Sequence, residues 1–383
     1  MHPSAGSKGS FLSDYATALA GCAEHDHQDN YDWRRFGPQE TSPPTHTWGQ
    51  RLAARRNKRL HRTGFVSLDE VDRLLTQGLQ FIEPHAANFQ WLYERLDDHD
   101  SRQLLVELVS FRALGHRRVK LPLNRPDHWK QLEAIEKSAE ECETIDPNFL
   151  GWQLPKLDLR GFGYPIELFG RPDGAMILFL QEQYRCESVD GVIEVEPGDV
   201  VVDAGGCWAD SALYFAHKAG SGGKVYSFEF LPDNLRIYRS NLESNPTLAS
   251  QVELLPHPVW SSDDVELFVC QNGPGTTVTP HRRSETDVTV RTMTIDQLME
   301  RSEFSRIDFI KMDIEGAELH ALHGAEAAIR RFRPKLAITV YHNLADFWEI
   351  PQYIDQLGLG YRFYLRHFTI HDEETVLFAK CEE

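Results

Sequence analysis

Between Val200 and Tyr341 short apolar runs alternate with amphipathic stretches, and no other feature restricts the fold as much. Strands are expected at 200–203, 225–229, 252–255, 307–313 and 335–341, with helical patterns at 210–219, 232–244 and 316–331. That spacing suits βαβ units, and hence a largely parallel, doubly wound sheet. Two further strand-like runs, 361–367 and 375–379, are joined across His371-Asp372-Glu373-Glu374. So short a link cannot hold a crossover helix, and the last pair must be antiparallel. The fold class expected is α/β: a Rossmann-like, seven-stranded, mostly parallel sheet with an antiparallel last strand, preceded by an N-terminal helical domain.

The 383 residues divide by pattern into four stretches. Residues 1–60 are polar and read as an arm. They include Cys22, His25 and His27, which lack the second ligand pair of a metal site. The basic run Arg51, Arg55, Arg56, Lys58, Arg59 and Arg62 reads as a wet helix face. Residues 61–150 read as a helical domain. Ser67 and Glu70 form a capping box, Val71, Leu74, Leu75 and Leu79 share a face, and a later apolar segment stops at Gly115. Residues 151–183 are expected to be a linker and a β-hairpin, with strands 166–169 and 175–180 flanking Gly170-Arg171-Pro172-Asp173-Gly174. Residues 184–383 carry the main sheet.

Acidic residues outnumber basic ones 58 to 40, for a formal charge of -18, which opposes nucleic acid and anionic membranes as partners. The six cysteines are scattered, with no CxxC pair, as suits reduced thiols. No apolar run approaches the roughly 18 residues that span a bilayer, and the N-terminus lacks a signal-peptide profile. A cytoplasmic location is expected, and a homodimer is allowed.

The strongest local signal is Pro197-Gly198-Asp199-Val200-Val201-Val202-Asp203-Ala204-Gly205-Gly206-Cys207-Trp208-Ala209-Asp210. An apolar strand runs into an acid, a glycine turn and a helix, at the sheet edge where ligands of such folds bind. A dinucleotide site needs GxGxxG against a pyrophosphate, and this turn does not supply it. Asp203 would repel phosphate but suit an ammonium or sulfonium. S-adenosylmethionine carries both, and Gly205 and Gly206 would let the backbone approach it. Glu229 ends the next strand, 26 positions after Asp203, where a carboxylate can accept both ribose hydroxyls. Val259 and Trp260 follow the third strand, where an adenine could pack.

These pieces resemble the FkbM family of S-adenosylmethionine-dependent methyltransferases over about residues 183 to 379. The matching segments are Asp203-Ala-Gly-Gly-Cys-Trp, then Phe228-Glu229 with Pro232, Asn234, Leu235, Asn241 and Asn245. The most specific is Ile307-Asp308-Phe309-Ile310-Lys311-Met312-Asp313-Ile314-Glu315-Gly316-Ala317-Glu318, followed by Leu322 and Gly324-Ala325. The resemblance implies a class I methyltransferase fold, S-adenosyl-L-methionine as cofactor, and a hydroxyl acceptor on a glycan or secondary metabolite. Ala209 departs from the glycine with which the turn usually ends, and is accommodated if its φ is negative. The cofactor set drawn from turn and resemblance is Tyr184, Asp203, Gly205, Gly206, Trp208, Asp210, Ser211, Glu229, Asn234, Val259 and Trp260.

Methyl transfer to a hydroxyl needs the acceptor oxygen in line with the methyl and a base for its proton. Asp313 ends the fourth strand, Glu315 and Glu318 follow it, and Lys311 shares its face as base or counter-ion. His342 at the tip of the fifth strand has the ordinary pKa of a base. Asp313, His342, Lys311 and Glu315 are therefore the catalytic candidates, with Arg366 and His367 as candidate acceptor contacts. No metal is expected, because the strand ends lack an Asp-Asp or Asp-Asn pair. The competing readings are a non-catalytic S-adenosylmethionine-binding protein and a nucleotide-cofactor Rossmann enzyme.

Overall fold

A computed structural model describes residues 9–27, 30–32, 66–188, 191–282, 288–301 and 306–381. The chain forms two compact units, residues 1–128 with 368–373 and residues 129–367 with 374–383. The basic run at 51–62 lies outside the described residues.

The first unit is built on helices Phe11–Ala23, Leu68–Ile82, Ala86–Arg95 and His99–Leu114. Helix Phe11–Ala23 falls where a polar arm was expected. It lies within a stretch that is polar as a whole, yet its own Phe11, Tyr15, Leu19 and Ala23 repeat at i, i+4 and are buried. Phe11 stacks on Tyr15 and on Phe89, each at 5.5 Å. The capping box forms as expected, with Ser67 Oγ accepting from the Glu70 N–H at 3.2 Å. The buried face of that helix is Leu74, Gly78 and Ile82, while Leu79 is exposed. Gly78 is required by packing: a Cβ there would stand 2.7 Å from a Leu19 methyl. Helix His99–Leu114 ends at Gly115, whose φ is +78°.

The second unit begins before the expected boundary, and the expected hairpin is absent. Strand Glu167–Phe169 pairs antiparallel with Leu154–Asp158 instead. Residues 172–180 are helical, with Pro172 opening the first turn and Met176–Leu180 winding as a π-helix. Met176, Ile177, Leu178 and Phe179 are all buried, so the run has no polar face to reveal its period.

The main sheet contains β1 (Val200–Ala204), β2 (Lys224–Phe228), β3 (Val252–Leu255), β4 (Phe309–Met312), β5 (Lys335–Thr339), β6 (Tyr361–His367) and β7 (Thr375–Cys381). Their order is β6-β7-β5-β4-β1-β2-β3. β7 is antiparallel to both β5 and β6, and the other pairings are parallel. All four residues of β4 are buried, as a central strand covered on both faces requires. Helices Asp210–Ala219 and Pro232–Ser244 occupy the expected crossovers, and the third expected helix is split into Glu318–His323 and Glu326–Phe332.

Between β3 and β4 the chain inserts a small antiparallel sheet that the sequence reading missed, Glu266–Cys270 flanked by Thr277–Thr279 and Thr289–Arg291. Asn241 and Asn245 also have a structural duty. Asn241 accepts from the Phe169 N–H at 2.7 Å and donates to its carbonyl at 2.9 Å. Asn245 does the same for Glu167, at 3.1 and 2.6 Å. Two side-chain amides thus complete the edge of strand Glu167–Phe169. No described helix is long and apolar enough to cross a membrane.

Candidate active site

The carboxyl ends of β1, β2 and β4 carry the acids that the sequence singled out, and that of β5 leads to His342. Gly205 turns sharply after β1 at φ +90°, and Asp313 N–H donates to the Ala204 carbonyl at 3.1 Å. The ends of β1 and β4 are therefore locked together.

Asp203 does not face an open site. It is fully buried, its two oxygens accept from Ser211 Oγ at 3.1 and 3.0 Å, and Oδ2 accepts from Ser227 Oγ at 2.8 Å. Lys311 stands opposite it in the β4–β1 register, and Lys311 Nζ lies 3.2 Å from Asp203 Oδ1. The same ammonium donates to the carbonyls of Ala204 at 3.2 Å and Gly205 at 2.6 Å. Its three protons are thus used. Burial alone would lower the Lys311 ammonium, but Asp203 and Asp313 outweigh it and hold its pKa above the ordinary value. These contacts fit the counter-ion role, one of the two the sequence offered for Lys311, rather than that of a base.

The glycines are also required by the packing of the chain. A Cβ on Gly205 would stand 2.0 Å from the Asp313 carbonyl oxygen, and one on Gly206 2.2 Å from Ser227 Oγ. Ala209 adopts φ +69°, against the expectation of a negative value, so its methyl is carried at a cost of about 1–2 kcal/mol. Trp208 sits in an apolar cluster with Leu154, Phe169 and Ile237, and its Nε1 donates to Asn234 Oδ1 at 3.2 Å. It is part of that core.

Glu229 Oε1 accepts from the N–H groups of Phe230 at 2.6 Å and Leu231 at 2.7 Å, and Oε2 accepts from Asn234 Nδ2 at 3.0 Å. Burial pushes its carboxyl up, against the pull of those donors. Asn234 therefore orients Glu229 on one side and Trp208 on the other. Asp210 opens its helix, accepts from the Ser211 N–H at 3.0 Å, and is raised by burial. Val259 is buried and bridges to Met293. Trp260 packs with Leu267 and Ala317 and stacks at 3.9 Å on His320, so one indole face is already covered.

Asp313 and His342 meet. His342 Nε2 lies 3.6 Å from Asp313 Oδ1 and 3.4 Å from Glu315 Oε2, while Nδ1 lies 3.1 Å from Glu318 Oε1. Tyr184 donates its hydroxyl to Asp313 Oδ2 at 3.3 Å, and Tyr341 to Oδ1 at 3.4 Å. Both phenols are raised well above their ordinary values by burial, with the Asp313 charge adding to it. Glu318 is fully buried, accepts from the Ile314 N–H at 2.8 Å and the Thr339 hydroxyl at 3.3 Å, and is held low by His342 against its burial. Burial would lower His342, but Glu318, Glu315 and Asp313 together push it well above the ordinary value. The ring is thus enclosed by three carboxylates rather than standing as an isolated base. The loop between the first two strands of the inserted sheet reaches the cluster: a Cβ on Gly275 would stand 3.8 Å from Glu315 Oε2.

Glu318 and Tyr341 were underweighted from sequence, since their contacts to His342 and Asp313 join separate strand ends; adjacency to His342 was the available signal for Tyr341. Arg366 and His367 do not join the cluster. His367 Nδ1 pairs with Thr375 Oγ1 at 2.9 Å, and Arg366 donates to the Glu187 carbonyl at 2.5 Å.

The strand order, the antiparallel β7 and the acids at the carboxyl ends define a class I methyltransferase fold. Residues 190–363 match the family model of the methyltransferase FkbM domain. The solved structure of methyltransferase FkbM from Methylobacillus flagellatus KT is similar, with a TM-score of 0.50, 19% identity, and coverage of 87% of this chain and 71% of that one. A putative O-methyltransferase from Klebsiella pneumoniae matches at a TM-score of 0.33 and 13% identity, over 74% of this chain and 100% of that one. The O-methyltransferase from Bacillus cereus in complex with SAH matches at 0.33 and 13%, over 66% and 91%. No curated protein matches the chain.

Proposed function

We propose that the chain is an S-adenosylmethionine-dependent O-methyltransferase acting on a hydroxyl of a glycan or small metabolite. The observation that carries this reading is the cluster of Asp313, Glu315, Glu318 and His342 at the carboxyl ends of β4 and β5. The cofactor would lie along the turn 203–210, with Glu229 on the ribose. Glu229 fits that duty. Its Oε2 accepts a single described hydrogen bond, and a carboxylate oxygen has room for more. Asp203 is spent on Lys311 and two serines, so the ammonium of the cofactor falls to Asp210. When bound, S-adenosylmethionine supplies an electrophilic methyl on sulfur.

The chain's own groups do the rest. Tyr184 and Tyr341 fix the Asp313 carboxylate from two sides, and Glu318 fixes His342. A hydroxyl acceptor placed beside Asp313 and Glu315 loses its proton to a carboxylate as its oxygen attacks. His342, held by Glu318, borders the same carboxylates. A positioned base is worth roughly 10²–10⁴-fold in rate.

The test is methyl transfer from labelled S-adenosylmethionine to a panel of sugars and hydroxylated metabolites. Asp313→Asn should depress turnover by about two to four orders of magnitude with cofactor affinity nearly intact. Wild-type turnover in that variant would refute the assignment.

A further inference from the structure

We infer that Asp313, Glu315 and His342 form a binding site for a divalent cation of the Mn²⁺–Zn²⁺ series. The inference stands on donor geometry and does not depend on the methyl-transfer reading. One ligand atom from each of the three residues lies within 4.8 Å of the others. His342 Nε2 is 3.4 Å from Glu315 Oε2 and 3.6 Å from Asp313 Oδ1. With bonds of about 2.0–2.2 Å, two ligands of one tetrahedral ion stand about 3.3–3.6 Å apart. The spacing is that of atoms sharing an ion.

A second observation points the same way. The His342 side chain is 9% exposed, and both ring nitrogens are buried with no hydrogen bond of normal geometry, although each lies within ion-pairing distance of a carboxylate. A buried imidazole so placed is short of a partner. Three carboxylates surround it. A divalent ion between Nε2, Asp313 and Glu315 would give Nε2 the partner it lacks.

The outer contacts fit as well. Histidine ligands commonly turn their second ring nitrogen to a carboxylate, which fixes the ring and raises its basicity. Here that carboxylate is Glu318, 3.1 Å from Nδ1 and itself anchored by Ile314 N–H. Asp313 is oriented by the Tyr184 and Tyr341 hydroxyls. One imidazole with two carboxylates selects a borderline ion over Mg²⁺ or Ca²⁺, which prefer an all-oxygen shell. Three protein ligands leave a position for a hydroxyl oxygen, whose proton the ion would make easier to remove. The absence of an Asp-Asp or Asp-Asn pair argued against a metal because it overlooked histidine as the third ligand.

The experiment is Mn²⁺ binding to the chelator-stripped full chain, followed by electron paramagnetic resonance without cofactor, and by calorimetry with Zn²⁺. The expected result is one site, with affinity lost at least about tenfold in each of Asp313→Asn, Glu315→Gln and His342→Gln. The exposed control Glu349→Gln should bind as wild type. Mn²⁺ should also raise the melting temperature of wild type and not that of Glu315→Gln, a half-exposed position where folding should survive. No binding by wild type below about 1 mM, or equal binding by wild type and Glu315→Gln, would overturn the site while leaving the methyl-transfer reading to its own assay.

Discussion

Gly205 passes so close to Asp313 that a Cβ on the glycine would stand 2.0 Å from the Asp313 carbonyl oxygen. The turn after β1 and the end of β4 are therefore one packed unit. Lys311 adds to this lock from β4, since its ammonium holds both Asp203 and the Gly205 carbonyl.

Gly205→Ala should accordingly cost about 2–5 kcal/mol in denaturant unfolding, from overpacking and a positive φ together. Ala209→Gly should stay within about 1 kcal/mol of wild type, since relief of its φ of +69° is offset by added chain entropy. An equal response at the two positions would contradict this account of the turn.

Lys311→Met should destabilise by about 3–5 kcal/mol, because it strands a fully buried carboxylate. Adding Asp203→Asn should recover part of that loss. The informative readout is the double-mutant cycle. A Lys311→Met protein of wild-type stability but without methyl transfer would mean that Lys311 does chemistry after all.

Asp346 gives a pH dependence. Burial raises its carboxyl from 3.8 to about 6, against the donors of Asn343. The folded state holds this proton more tightly, so the stabilisation it brings is complete below pH 3.8 and lost as pH rises through 6. Asp346→Asn keeps an acceptor for the Asn343 N–H and removes the ionisation. Its stability relative to wild type should therefore improve from pH 4 to pH 7. A difference that stays constant over that range would place the titration elsewhere.

The sheet was legible because its signals are local. Apolar strands of five residues and helices bounded by Pro232 and Gly220 leave period and punctuation in the sequence, so Asp210–Ala219 and Pro232–Ser244 fall where expected. The helix at Met176–Leu180 was hidden because burial on all sides erases periodicity. The meeting of Asp313, Glu315 and His342 was legible only as a shared sheet edge. Lys311 was read as base or counter-ion, but its pairing with Asp203 was not legible, since it depends on β1 and β4 being neighbours in register although more than 100 positions apart. Gly205 and Gly206 were singled out for a ligand's approach, and their tight packing against Asp313 and Ser227 was not legible, since it depends on neighbouring strands.

The most direct test of the central claim is calorimetric titration of the folded chain with S-adenosylmethionine and, separately, with NADH. The account predicts one S-adenosylmethionine per chain, no heat with NADH, and a loss of affinity on the order of 2–4 kcal/mol in Glu229→Ala. Binding of NADH, silence with S-adenosylmethionine, or unchanged affinity in a folded Glu229→Ala variant would contradict it.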